Sequence, residues 1–542
     1  MVTVVFEKLR LLRKCGVSEN DLEALLFDLK SEMKSEGGML EVEVNADRPD
    51  LLSSDGVARA VRGLTGKAVG EAKYEATDSG YTIIVERVVQ RPYVAAAIVE
   101  GVKLGEEGLR ELIQFQEKLH VTIGRRRRKV AIGIHDLTKI DTKIIKYSTI
   151  PLDYKFVPLG GEKPLTLSEI LYGTEQGLSY GQISLAEGKL PAILQEDDQV
   201  LSVPPVINSE KTRLTSNTTD LFIDVTGTSA EAVGQTLDII STNLAEGGGK
   251  IKQVKVIKGN WNSTPILHHG SVSAKLDYIS SVSGHPYTCE EARNLLAKAR
   301  LDSICDSDTL QVITPPYRID LLGRADVVEE LLMMEGYSNL TPSPHIITTT
   351  GSLSIHTSFI RALRDLAIGA GFIEVFNFVL TDHRDFKGNA LKLTNPVTTE
   401  VNSVRTSLIP GILRLLSKNQ NVGFPIKIFE IGDIVLRDVE KDTGYTNRTM
   451  MVLAIMDSKV SFEQLQGPIH AIIKALGTAP SYTRYDNSYF LEGRGAKIHV
   501  DDDEVGVIGE LHPRELEYFG ISFPVLIAEL SVDELLRLQK GG

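Results

Sequence analysis

Four carboxylates, Asp320, Asp326, Glu329 and Glu330, fall within eleven residues directly after Pro315-Pro316-Tyr317-Arg318-Ile319. On a helix beginning near Asp326, residues 326, 329 and 330 are three and four apart and share one face, with Asp320 upstream able to converge on them. Hard oxygen donors grouped in this way suit a magnesium ion. The same spacing has a purely structural reading, because Asp326-Val327-Val328-Glu329 is an Asp-x-x-Glu capping box that closes a helix end without metal. A second charge run has the opposite sign. Arg125-Arg126-Arg127-Arg128-Lys129 follows Gly124 and can neutralise phosphates by counterion release, or form a solvated loop tip. Arg127 and Lys129 lead into the apolar run Val130-Ala131-Ile132-Gly133-Ile134, so strand alternation would present alternate cations on one side.

The chain that must position these groups has 542 residues, too many for one core and enough for several domains. With 42% hydrophobic and 24% charged residues it has an ordinary globular composition. No stretch approaches the eighteen apolar residues of a membrane span. Charge follows the first short apolar run directly, at Glu7 and Lys8, unlike a signal peptide, and a cytoplasmic protein is expected. A net charge of −13 excludes a protein that coats nucleic acid through a global positive field, so any RNA contact must be local. Cys15, Cys289 and Cys305 are too widely spaced for a disulfide framework or a zinc pattern. All three are expected to be buried or incidental.

Ser18-Glu19-Asn20-Asp21 ahead of Leu22, Leu25, Leu26, Leu29 and Met33 predicts a capped amphipathic helix. An alternating strand over 40–44, a break at 45–50 and a helix from Ser54 to Gly63 or Gly66 follow. From about Tyr81 the pattern becomes β-rich, as in 93–99, 199–209 and 221–228, with helices over 107–120 and 230–246. A third unit holds a helix over 290–300 and the acidic tract, and Thr341-Pro342-Ser343-Pro344 reads as its exit linker. The last unit opens with a helix over 355–371 and a strand over 373–380. The fold class is α+β and multidomain, divided into modules at 1–80, 81–262, 263–344 and 345–542.

Pro-x-Tyr-Arg-x-Asp followed by Asp-x-x-Glu-Glu and Gly336-Tyr337 resembles the signature of the phenylalanyl-tRNA synthetase beta subunit. Asn45-x-x-Arg48-Pro49-Asp50-Leu51-Leu52-Ser53 resembles the amino-terminal module of that family. Leu393-Thr394-Asn395-Pro396, Arg405-Thr406-Ser407-Leu408-Ile409-Pro410-Gly411, Phe429-Glu430-Ile431-Gly432-Asp433, Glu492-Gly493-Arg494-Gly495 and Ile508-Gly509-Glu510-Leu511-His512-Pro513 extend the likeness almost to the carboxyl end. The resemblance implies the archaeal or eukaryotic type, an assembly of two alpha and two beta chains that acts on the tRNA for phenylalanine. It further implies magnesium shared with the alpha subunit through Asp320, Asp326, Glu329 and Glu330, and ATP bound by the alpha subunit. The carboxyl-terminal domain would be a class II synthetase-like antiparallel sheet. Arg405 is followed by Thr-Ser-Leu, and no arginine follows Gly493-Arg494-Gly495-Ala496-Lys497 where a catalytic domain would need one for the phosphates, so this domain is expected to keep the fold without activating an amino acid. Structural pairing is the competing role for Arg405 and Arg494.

Pro204-Pro205-x-Ile207-Asn208-Ser209 and Phe222-Ile223-Asp224-Val225-Thr226-Gly227-Thr228 resemble the family's editing domain, a separate α+β domain that hydrolyses tyrosine mistakenly attached to the tRNA. The need is physical, since an apolar pocket discriminates only about a hundredfold against an analogue that merely adds a hydroxyl. In this reading Asp224 holds the ammonium group, and Ser202, Asn208 and Thr226 contact the phenol, the ribose or the water. Strand alternation puts 224 and 226 on one face, opposite Ile223 and Val225, which also allows them to line the solvent face of a half-buried strand. His120 and His135 are read as structural, and no general base is assigned. The rivals are a tRNA-binding scaffold without editing activity, and a stand-alone metal-dependent hydrolase built on the cluster around Asp320.

Overall fold

Alternation of apolar and acidic residues makes Met39–Val44 a strand with Leu40, Val42 and Val44 buried on one face, and the amino-terminal module assembles on it. In the computed structural model this strand, β3, lies between β1 (Val2–Glu7) and β2 (Glu32–Glu36), with α1 (Lys8–Cys15), α2 (Glu19–Asp28) and α3 (Ser54–Leu64) packed against them. Ser18 caps α2 as expected. Met33, however, lies on β2 rather than on that helix, because the chain turns at Leu29-Lys30 and Lys30 takes a left-handed φ of 58°. The structure describes all residues except Met1, Ser343, His345, Ile346, Lys387, Gly388, Asn389 and Gly542, with only the backbone of Lys540 and Gly541. Ser343 of the expected linker therefore lies outside the described residues. The chain divides into two units, Met1–Ser343 and Pro344–Gly542.

The first unit continues through β4 (Thr77–Val85), β5 (Tyr93–Glu100), α4 (Gly105–Val121), β6 (Val130–Asp136), β7 (Ile144–Pro151), β8 (Lys155–Phe156), β9 (Leu165–Thr166), α5 (Leu167–Gly173), α6 (Glu175–Tyr180), β10 (Lys189–Gln195), β11 (Val200–Val203), β12 (Ile207–Asn208), β13 (Leu221–Gly227), α7 (Ala230–Glu246), β14 (Lys250–Ile257) and β15 (Ser263–Thr264). Apart from the β8-β9 hairpin, these strands form one ten-stranded sheet in the order β12-β11-β10-β7-β4-β14-β5-β13-β6, with β15 on β14. Strand β13 is buried on both faces. Leu221, Ile223 and Val225 join the core containing Val233, Leu237 and Ile240 of α7, and Phe222 packs on the other side with Ala96, Ile98 and Tyr147. Asp224 and Thr226 therefore do not line the solvent face of a half-buried strand; both are fully buried.

The third module has β16 (Gly270–Lys275), α8 (Leu276–Ser283), α9 (Cys289–Lys298), β17 (Asp302–Asp306), β18 (Thr309–Thr314) and α10 (Arg324–Glu335), with sheet order β16-β18-β17. The cysteine expectation is corrected here. Cys289 and Cys305 form a disulfide, because α9 and β17 run side by side and bring the start of one against the end of the other; Cys15 is the free, buried thiol among the described residues.

The second unit contains α11 (Ile355–Gly369), β19 (Ile373–Glu374), β20 (Leu380–Thr381), β21 (Leu391–Lys392), β22 (Ser403–Val404), α12 (Ile409–Lys418), β23 (Ile426–Arg437), β24 (Tyr445–Met456), α13 (Glu463–Ala475), β25 (Pro480–Arg484), β26 (Phe490–Val500), β27 (Asp503–Leu511), α14 (Pro513–Phe519), β28 (Val525–Ser531) and α15 (Val532–Gly541). Its seven-stranded sheet, β19-β23-β24-β28-β27-β26-β25, is antiparallel except at β19-β23. Helices α11, α13 and α15 cover one face and α12 and α14 the other. The single strand expected over 373–380 is two short pieces, since Asn377 between them donates from both its backbone and side-chain nitrogens to Glu430 instead of pairing in a ladder. Among the described residues no helix is long and apolar enough to cross a membrane.

Candidate functional site

Strand β6 is the last of its sheet, and helix α4 satisfies its free edge with side chains. His120 Nε2 accepts from the Ile132 amide at 2.9 Å and Gln116 donates to the Ile132 carbonyl at 2.8 Å. Accepting a backbone N–H leaves the His120 proton on Nδ1, which donates to Glu117 at 3.2 Å, and burial lowers the pKa of this ring. Between α4, the floor strands β6 and β13 and the β11-β12 turn lies a cleft of about 400 Å³, a volume suited to a small-molecule ligand. Its walls combine apolar side chains, Leu109 and Ile113 from α4, Ile132 and Ile134 from β6 and Val203 to Ile207 opposite, with the polar Glu117, His120, Arg127 and Arg213.

Asp224 is the carboxylate on the floor of this cleft. Its Oδ2 accepts from His135 Nε2 at 2.8 Å, and the Ser202 hydroxyl lies 3.4 Å away. His135 stands behind Asp224, fully buried and away from the cleft lining, with its Nδ1 2.7 Å from Thr212 Oγ1. The register pairs Asp224 with Gly133. A Cβ at 133 would come within 2.1 Å of Asp224 Oδ2, so glycine leaves room for the carboxylate. Asn208 lines the cleft and donates to the Ile134 carbonyl at 3.5 Å. Thus Ser202, Asn208 and Asp224 are brought together. Thr226 is not among the lining residues; its hydroxyl accepts from the buried guanidinium of Arg91 at 3.3 Å. The sequence assigns no role to Arg91 or Gly133 and reads His135 as structural; the structure sets His135 against Asp224.

The basic run divides. Arg125, Arg126 and Arg128 are exposed and, with Lys129, line an open groove of about 800 Å³ on the outside of the loop. Arg127 turns inward to the cleft, pairing with Glu117 at 2.7 Å, donating to the Pro205 carbonyl at 3.1 Å and stacking over Tyr180. Burial alone would raise the Glu117 pKa, but His120 and Arg127 hold it below the usual value. Arg125, Arg126 and Arg127 all adopt left-handed φ angles of 47–64°, and the turn is closed by Lys129 N donating to Gly124 O at 2.8 Å.

The acidic tract is organised differently. Arg318 donates to Asp320 through two nitrogens, at 2.8 and 2.7 Å, and also binds Glu330. Asp326 accepts from the backbone amides of Leu322 and Gly323 at 2.8 and 2.7 Å, capping α10, and Glu329 pairs with Lys30 at 3.1 Å. Buried Arg48, Asp50 and Arg59 continue the network, with Arg48 on Asp50 and Arg59 stacked on Tyr317 at 3.6 Å. Burial opposes ionisation of Asp320, yet Arg318 and Arg48 hold its pKa down. Among the described residues no three His, Cys, Asp or Glu side chains converge as a metal-binding group. As folded, the four carboxylates do not fit a magnesium cage, since Arg318 supplies the cation for two of them.

In the second unit, Arg405 is buried and bound to Glu430 at 2.6 Å and to the Asp433 carbonyl, while Arg494 faces Glu510 at 3.5 Å.

Comparison with known proteins follows the same division. Residues 272–337 match the family described as "tRNA synthetase B5 domain", and residues 341–532 match "Phenylalanyl tRNA synthetase beta chain CLM domain". The chain is 51% identical over 542 residues to the "Phenylalanine--tRNA ligase beta subunit" of Saccharolobus islandicus (strain L.S.2.15 / Lassen #1), covering 99% of each chain. It is 49% identical over 536 residues to the protein of the same name from Sulfurisphaera tokodaii, again covering 99% of each. Among solved structures it is similar to an N-terminal fragment of the phenylalanyl-tRNA synthetase beta-subunit from Pyrococcus horikoshii, with a TM-score of 0.60 and 37% identity, covering 62% of this chain and 100% of that one.

Proposed function

The chain belongs to the phenylalanine–tRNA ligase beta-subunit family, and on that premise we propose that its cleft removes tyrosine wrongly attached to the tRNA for phenylalanine, while an alpha partner carries out ATP-dependent aminoacylation. The observation that carries this reading is Asp224, the carboxylate at the floor of a cleft of mixed apolar and polar lining, with Ser202 and Asn208 beside it. A free ammonium group next to an ester is what separates an aminoacyl end from uncharged RNA, and Asp224 would bind it by a charge-assisted hydrogen bond. Ser202 and Asn208 would then meet the phenol or the ribose. A site that hydrogen-bonds the extra hydroxyl can reject phenylalanine far better than an apolar pocket can reject tyrosine. Thr226 acts behind the floor rather than on the substrate. Arg125, Arg126 and Arg128 would take RNA phosphates from outside.

The second unit is proposed as a class II synthetase-like domain without amino-acid activation, which accords with Arg405 and Arg494 being engaged by Glu430 and Glu510. It would hold the alpha partner in a cytoplasmic assembly of two alpha and two beta chains. The magnesium ion expected from the resemblance would depend on Asp326 and Glu329, the carboxylates outside the reach of Arg318, together with groups from the partner. The scaffold reading differs in one respect: it predicts tRNA binding without deacylation.

The test is release of tyrosine from tyrosyl-tRNA for phenylalanine by the assembled alpha–beta complex, comparing wild type with Asp224→Ala. Release that the substitution abolishes, with phenylalanyl-tRNA spared, is the expected result. Release no faster than the spontaneous rate from an assembled wild-type complex would leave the scaffold reading in its place.

A further inference from the structure

Arg91 is among the largest fully buried side chains of the chain, and among the described residues it makes no ion pair with a carboxylate. Desolvation of a guanidinium is costly unless its donors are used. Its donors go to two segments that are distant in sequence. Nε and Nη2 donate to the hydroxyl and carbonyl of Thr226, at 3.3 and 2.7 Å, and Nη1 donates to the carbonyls of Arg127 and Arg128, at 3.1 and 3.4 Å. Its own carbonyl is held by the buried Tyr147 hydroxyl at 2.7 Å. Burial lowers the pKa of the group to about 10, and Tyr147 and Asp224 act in the opposite direction.

One end of this fork grips β13 two residues from Asp224. The other grips the basic loop between Arg127, which spans the cleft to the Pro205 carbonyl, and Arg128, which lines the outer groove. The planar guanidinium suits this task because it directs donors to both segments at once, whereas an ammonium is a single point with a flexible stem. The loop needs such a grip, because three successive non-glycine residues in the left-handed region are strained and disfavoured on their own.

We propose that Arg91 is a positioning residue that fixes the phosphate-binding loop in register with the floor of the cleft, so that an RNA backbone held outside delivers its acyl end to Asp224 inside. The proposal rests on the hydrolytic reading of the cleft. Arg91 touches neither the RNA nor the ester; it sets the distance between the two places where they are held. The substrate class this implies is an acylated RNA whose phosphates and ester are read together, rather than a free aminoacyl ester.

The test compares wild type, Arg91→Lys and the triple variant Arg125→Ser, Arg126→Ser, Arg128→Ser, each in the assembled alpha–beta complex. Single-turnover tyrosine release is followed against enzyme concentration at several salt concentrations. The triple variant is expected to raise the half-saturating concentration and to flatten the salt dependence by a slope of about 2 to 3, as for three lost phosphate contacts. Arg91→Lys is expected to lower the maximal rate per folded molecule roughly 10- to 100-fold, as a misplaced reacting group does, while keeping the wild-type salt slope. A maximal rate equal to wild type, or one that falls only in proportion to the folded fraction, would overturn the proposal.

Hydrogen exchange gives a readout independent of hydrolysis. The amides of Lys129 and Thr228, which bond to Gly124 O and Lys129 O, should lose protection at least about tenfold in Arg91→Lys, while the amides of α12 keep theirs. Unchanged protection overturns the role of Arg91 whether or not the cleft hydrolyses anything. An inactive wild-type complex in which the exchange result holds removes the editing reading alone, and leaves Arg91 as the brace between loop and cleft.

Discussion

Replacing Gly133 by alanine tests the geometry of the cleft floor with one methyl group. In a strand interior the change should help, since glycine there is worse than alanine by about 0.5–1 kcal/mol. Here the new Cβ would sit 2.1 Å from Asp224 Oδ2 and 2.8 Å from His135 Nε2. Neither side chain can yield cheaply. Asp224 is fully buried between His135 and Ser202, and His135 is held from behind by Thr212. Relief of the clash must open the 2.8 Å bond between them, leaving a buried donor or acceptor unpaired at about 1–3 kcal/mol, and overpacking adds about 1–3 kcal/mol. Subtracting the glycine term leaves Gly133→Ala destabilising by about 1–5 kcal/mol. Native-state hydrogen exchange of the β6 and β13 amides measures this locally, which matters in a multidomain chain where one global transition is not defined. Nitrogen-15 labelling of histidine would report a changed His135 ring, and tyrosine release should fall with it. A variant as stable as wild type or more so, with an unchanged His135 resonance, would refute the argument that the glycine exists to make room for the carboxylate.

Reduction of the Cys289–Cys305 disulfide, which closes a separation of sixteen residues, should destabilise the third module by about 3 kcal/mol on the loop-entropy estimate. Melting with and without reductant should match the double variant Cys289→Ser, Cys305→Ser, and an unchanged melting profile would exclude a stabilising role. Asp238 is buried and accepts from the amides of Leu267 and His268; burial raises its pKa from 3.8 to about 6. The folded chain thus binds a proton more tightly than the unfolded one, so stability from this group is greatest below about pH 4 and declines as pH rises toward 6. Asp238→Asn should flatten that part of the stability-versus-pH curve, and an unaltered slope would show the group does not titrate there. In the assembled complex Asp326→Ala should weaken the start of α10 by about 1 kcal/mol in chelator, through loss of its cap, and by more in magnesium, where the proposed ion is lost as well. Equal losses in the two conditions would remove Asp326 from the metal site, and no loss in chelator would remove the cap.

The strength of each sequence reading tracks how local its physics is. Helix α7 is met residue for residue, because its apolar period and the Ser229 cap are both local signals. Periodicity predicts one helix from Leu22 to Met33 and only part of it forms, since periodicity does not register that Lys30 must adopt a positive φ. The disulfide was missed because spacing in sequence says little about two cysteines brought together by a helix packed along a strand. At the cleft, Asp224, Ser202 and Asn208 were visible through motif likeness, but His135 was not, since its partner is 89 residues away and known only through strand register. The usable signal was Gly133. A glycine inside an apolar strand marks a close approach, and the residue two further on, His135, shares its face.

Asp224 and the pair Asp320–Glu330 face the same physical problem, a carboxylate removed from water, and resolve it in opposite ways. Arg318 is permanently charged and grips both acids, and the carboxylate of Asp320 is held ionised by it. Every strong donor around those acids is thereby committed, which makes the tract a clasp between the amino-terminal and third modules through Arg48, Asp50 and Arg59. Asp224 has instead a histidine at 2.8 Å and a hydroxyl at 3.4 Å, with a cleft in front of it. Neither hydrogen-bonded neighbour is a fixed cation, and the arginines nearby donate elsewhere, Arg91 to Thr226, Arg127 to Glu117 and Arg213 to Glu210, so the carboxylate keeps room for a donor from solution. An ammonium entering the cleft would add at Asp224 the direct bond from a permanent cation that Arg318 already supplies at Asp320. The distinction between a site and a clasp therefore lies in whether the neutralising charge is built into the chain, and not in how many carboxylates the motif assembles.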